Sequence, residues 1–141
     1  MNPRIEPARF LRRALMADGI VSGVSGAALL IAPGAIASLL GLASPGLVAV
    51  VGVSLVFYGL ALLRNARQEV LRRRDASVPI ALNAAWLLGT VVVVAEGWLN
   101  RPGTWALLLV GDVVLAFAIL EAVGLHKLTA HATAGTGVEP A

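Results

Sequence analysis

The chain has no cysteine, which excludes disulfides, thiolate metal sites and cysteine nucleophiles together. Charge is also scarce. Asp, Glu, Lys and Arg make up 13% of its 141 residues, about half the share a soluble domain carries. Aromatic residues are 5% of the chain, and the arginines adjoin apolar runs without interleaved aromatics, a poor match to a nucleic-acid surface despite the basic balance. The two histidines are His126 and His131, beyond the last apolar run. No span therefore holds a histidine that could ligate a transmembrane haem. A nucleophile–base pair, a phosphate-binding glycine loop and a redox motif are all missing. The sequence reads as a non-enzyme without a cofactor or a metal.

What is present is apolar. Hydrophobic residues make up 58%, more than one small soluble unit could hide from water. Four spans follow, at about 14–31, 47–63, 78–99 and 104–125, each near the ~20 residues that cross a ~30 Å hydrocarbon core. The expected fold class is all-α, an integral membrane four-helix bundle. Residues 1–13 read as a basic segment preceding it, and 126–141 as a flexible tail. Asp18 interrupts the first apolar run, so that run reads as a retained helix and not a cleaved signal peptide. Pro33 and Gly34 break the chain after the first span, and residues 33–42 read either as the end of that crossing or as a short interfacial helix. The segment 64–77 reads as a polar connector with helical character.

Basic residues set the expected orientation. Arg4, Arg9, Arg12 and Arg13 precede the first span, Arg64, Arg67, Arg72, Arg73 and Arg74 lie between the second and third, and Lys127 follows the fourth. Only Arg101 falls on the other side. The positive-inside rule then puts both termini in the cytoplasm of a cell with this protein in its inner membrane. Trp98 and Trp105 flank the opposite turn, as interfacial aromatics do.

Polar residues inside the spans form two expected layers when depth is counted from the span ends. Asp112, Ser25, Ser54 and Thr90 fall near mid-depth, a candidate proton or ligand site. Asp18, Tyr58, Asn83 and Glu121 fall one step closer to the cytoplasm, with Arg64 at the inner edge of that layer. An Asp at a helix centre costs about 2.5–3.5 kcal/mol on insertion scales, so Asp112 is expected to face the bundle interior. There it would be a neutral acid donating to Ser25, Ser54, Thr90 or a backbone carbonyl. Asp18 is expected to pair with Arg12, Arg13 or Arg64. Glu121 is nine residues from Asp112 and so on the opposite side of the helix. It is expected to snorkel to the interface or pair with an arginine.

Gly19, Ser22, Gly23 and Gly26 recur at small-xxx-small spacing, and Gly52 and Gly59 are seven apart, which suits close helix packing. The stretches "LRRALMADGIVSGVSG" and "LNAAWLLG", with Asn83 and Trp86 in the latter, resemble small bacterial four-span proteins grouped as DoxX-like. The resemblance covers about residues 11–125 and implies a membrane bundle. In some relatives it also implies a subunit of a quinone-linked oxidation system. Two functions are expected to compete. One is an accessory or scaffolding subunit whose partners are the lipid bilayer and other membrane subunits or itself. The other is a small proton-coupled transporter or channel using an intramembrane Asp.

Overall fold

The computed structural model describes residues 5–68 and 73–134, and over these it is helical with no strand. Five helices follow in order: α1 (Ile5–Ile31), α2 (Pro33–Leu40), α3 (Pro45–Arg67), α4 (Arg73–Ala95) and α5 (Arg101–Ala134). Four of them, all but α2, are long and apolar enough to cross a membrane. Residues 1–4, 69–72 and 135–141 lie outside the described residues, and with them parts of the basic segment, the connector and the tail.

The helices run past the apolar spans at the arginine-rich end. In α1 the extra turns carry Leu11, buried on one stripe with Ala14 and Leu15 at the start of the span. In α5 the helix continues from residue 125 to Ala134, where a flexible tail was expected. Leu125 and Leu128 pack there against the cluster of Leu11, Leu15, Leu62, Ala66 and Ala76. The Lys127 ammonium lies 5.1 Å from the centre of the Phe10 ring, a cation–π contact between α5 and α1. Arg12 donates to the carbonyl of Ala66 at 2.9 Å.

At the opposite end, Pro33 opens a separate eight-residue helix, and Gly41 stops it in the left-handed conformation (φ 78°) that a residue without Cβ adopts freely. Helix α2 is about 12 Å long and cannot cross a bilayer. It is tied to the start of α5 by Asn100, whose amide donates to the Leu39 carbonyl at 3.0 Å while its backbone N–H reaches Leu40 O at 3.1 Å.

Helix α1 packs most extensively on α3 and α4 on α5, and α1 and α5 join the two pairs. Two reciprocal glycine pairs set the α1–α3 spacing. A Cβ on Gly26 would stand 2.6 Å from Gly52 O, and one on Gly59 would stand 2.6 Å from Gly19 O. No side chain fits between backbones that close. A Cβ on Gly23 meets nothing within 4 Å. Gly26→Ala is therefore expected to lower stability in detergent by about 1–3 kcal/mol, while Gly23→Ala leaves it nearly unchanged. Thermal unfolding followed by circular dichroism checks the pair, and equal losses would contradict this packing.

Candidate functional site

The glycine crossing seats a polar cluster beside it. Asp18 precedes Gly19 on α1 and Tyr58 precedes Gly59 on α3, so the close backbones let a short carboxylate reach across. The Tyr58 hydroxyl lies 3.1 Å from Asp18 Oδ2 and 3.1 Å from Asn83 Oδ1. Ser22, one turn along α1, donates to Asp18 Oδ1 at 2.9 Å. From α4, Asn83 Nδ2 lies 3.3 Å from both Asp18 Oδ2 and Glu121 Oε2. All four long helices contribute. Asp18, Asn83 and Glu121 are 3%, 5% and 0% exposed, so the cluster is removed from lipid as well as from water.

Of the expected inner layer, Asp18, Tyr58 and Asn83 meet, but Arg64 is exposed and takes no part. Asp18 makes its bonds to Ser22, Tyr58 and Asn83, not to Arg12, Arg13 or Arg64. Arginine lies a turn or more nearer the helix ends, and Arg12 is committed to the Ala66 carbonyl. Glu121 neither snorkels nor pairs with an arginine; it is the most buried acid in the chain's described part.

The mid-depth layer does not assemble. Ser25, Ser54 and Asp112 are exposed and only Thr90 is buried. Thr90 faces Gly111, its methyl 3.6 Å from where a Gly111 Cβ would stand. Asp112 is the next residue and is turned about 100° away, onto the outer side of α5. Ser25 lies on the same stripe of α1 as Asp18 and Ser22 but is exposed. Ser54 bonds the carbonyl of its own helix at Val50 (2.9 Å). The small-residue stretch does hold the helices together through Gly19 and Gly26, facing Gly59 and Gly52, while Ser22 serves the cluster instead.

Depth alone puts Glu121 in the inner layer too; the structure overturns only its expected turn toward the interface, and α5 carried a signal for the inward one. At about 100° per residue, Glu121 falls inside the arc from Gly111 to Gly124, and both glycines are buried. Gly124 sits against Leu11, 3.1 Å from its would-be Cβ. Asp112 falls outside that arc. Three buried side-chain polar atoms lack a partner among the described residues: Glu121 Oε1, Trp86 Nε1 and Thr90 Oγ1. Trp86 and Thr90 follow Asn83 on one face of α4.

Nothing matches this chain among family models, curated proteins or solved structures.

Asn83 is the only donor the Glu121 carboxyl has in the cluster. Asn83→Leu should therefore cost about 1–3 kcal/mol, the penalty for stranding a buried acceptor. Tyr58→Phe should cost less, about 0.6–1.7 kcal/mol, as Asp18 keeps its other two donors. Unfolding of both variants in one detergent gives the order, and a larger loss for Tyr58→Phe would refute this assignment of bonds.

Proposed function

We propose that this chain is a non-catalytic, multi-pass subunit of a bacterial inner membrane, with both termini in the cytoplasm, that packs as an accessory or scaffolding element against a larger membrane complex or itself. The observation that carries the reading is the outward position of Asp112. It is eleven residues into α5, about 16 Å along the helix axis, and so near the middle of a ~30 Å hydrocarbon core. Its stripe on α5 is otherwise apolar, with Trp105, Leu109, Ala116 and Ile119 all exposed. An Asp facing lipid at that depth costs several kcal/mol, and intramembrane acids turn toward protein or water. A donor on a neighbouring protein removes that cost and gives the contact its register. The open glycine face at Gly23 and the exposed Ser25 offer further ground for a partner helix.

The arginine distribution supports the orientation through the positive-inside rule. The second reading, a small proton-coupled carrier or channel, draws its support from a different place, the acids buried in the core.

Gentle extraction of the protein from its own membranes, followed by native mass spectrometry, tests the assembly reading. The wild type should travel with companions or with copies of itself. Asp112→Leu should keep the fold and weaken that association by about tenfold, the worth of roughly 1–2 kcal/mol. A wild-type chain that runs alone, or an Asp112→Leu variant that associates as before, would sink it.

A further inference from the structure

The Asp18–Glu121 cluster has more acceptors than hydrogens to fill them. Ser22 and Tyr58 supply one hydrogen each and the Asn83 amide two. The Ser22 hydrogen goes to Asp18 Oδ1, and those of Asn83 go to Asp18 Oδ2 and Glu121 Oε2. The Tyr58 hydrogen must choose between Asp18 Oδ2 and Asn83 Oδ1, which lie at equal distance. Glu121 Oε1 receives nothing, although its residue is fully buried. Asn83 Nδ2 bridges the two carboxyls, 3.3 Å from an oxygen of each.

Charge makes the shortage sharper. Facing Glu121 are Asp18 from α1, Tyr58 from α3, and the neutral Asn83 from α4; among the described residues no Lys, Arg or His joins them. Two carboxylates without a positive charge in a medium this dry would cost far more than the hydrogen bonds return. Every atom on offer is a hard oxygen: two carboxylates, an amide carbonyl, a phenol and a hydroxyl. Such a set suits a hard cation. Two carboxylates, one already well supplied with donors, suit a single charge better than a double one.

We infer that Asp18 and Glu121, with Asn83 and Tyr58, form an interior site for one exchangeable monovalent cation, a proton or a sodium ion, centred on the unfilled oxygen Glu121 Oε1. On the side of the site away from the arginines, Ser22 is half-buried and Ser25 exposed on the same stripe of α1 as Asp18. The site stands independently of assembly through Asp112, because Asp112 is on the other side of α5.

Two measurements on the purified full chain in detergent test this. Calorimetric titration with sodium chloride, against choline chloride as control, reads metal binding. Infrared difference spectra between acidic and alkaline buffer read a carboxyl that loses its proton. With sodium as occupant, binding is saturable and weakens as pH falls, since protons compete for the same oxygens. It should drop roughly tenfold or more in Glu121→Gln and Asp18→Asn and persist in Asp112→Asn. With a proton as sole occupant, sodium has no effect, and a protonated-carboxyl band vanishes on alkalinisation in the wild type and in Asp112→Asn but not in Glu121→Gln. Wild-type protein showing neither sodium binding nor a titrating carboxyl band overturns the site, whether or not the variants fold. Signals that survive in both Glu121→Gln and Asp18→Asn overturn it as well.

Discussion

The rest of this molecule depends on the close approach of α1 and α3. In lipid, leucine against leucine is no better than leucine against an acyl chain, so helices need another reason to stay together. Here the reason is backbone contact. Gly19 faces Gly59 and Gly26 faces Gly52, each pair too close to admit a Cβ without displacing a carbonyl. That spacing has a second effect. It carries Asp18 to within 3.1 Å of the Tyr58 hydroxyl, a reach that a short carboxylate could not manage between helices at ordinary separation. The polar cluster is thus downstream of the glycines, and the other helix pair is downstream of the cluster.

Helices α4 and α5 attach to α1 and α3 at few places, and those places are polar or terminal. Asn83 bridges Asp18 and Glu121 in the core. Leu125 and Leu128 close the arginine-rich end, and Asn100 ties α5 to α2 at the other. Ser25 is exposed although it shares the α1 stripe of Asp18, whereas Ser54 lies with Val50 and Phe57 on an exposed stripe of α3 turned away from Gly52 and Gly59. A bundle so held is firm at its ends and at one internal layer.

The four crossings were legible because each is an apolar run of membrane length bounded by arginine, proline or glycine. The glycine face was legible too, since small residues at four- and seven-residue spacing have few other uses in lipid. The ends of the helices were not. Arg9, Arg12 and Arg13 made residues 1–13 look like a polar lead-in, yet Leu11 is wholly buried. Arginines tolerate a helical stripe by keeping their heads outward. The polar tail composition masked Leu128 in the same way. The inner layer of Asp18, Tyr58 and Asn83 followed from depth alone. Depth could not assign Asp112, because depth says nothing of which way a side chain turns about its helix.

Helix α5 shows what that omission meant. Asp112 and Glu121 are nine residues apart, so one helix cannot turn both toward the same neighbour. The deeper acid, the more costly to leave in lipid, had the stronger claim on the interior by energy. Packing decided otherwise. Gly111 and Gly124 define the side on which α5 meets its neighbours, and Glu121 is on that side. Energy per residue is a sum over partners, and a face lined with glycine brings more backbone and more carbonyls within reach than a single well-placed donor can offer. Once α5 is docked by its glycines, its two acids have separate fates within one copy of the chain. Glu121 is enclosed by all four helices and is short of a positive charge. Asp112 is turned outward and is short of a neighbour. Rotating α5 to relieve one would create the other's problem on the opposite side, so neither can be met by rearranging the chain alone. Both deficits point outside it, one toward a small cation and the other toward protein.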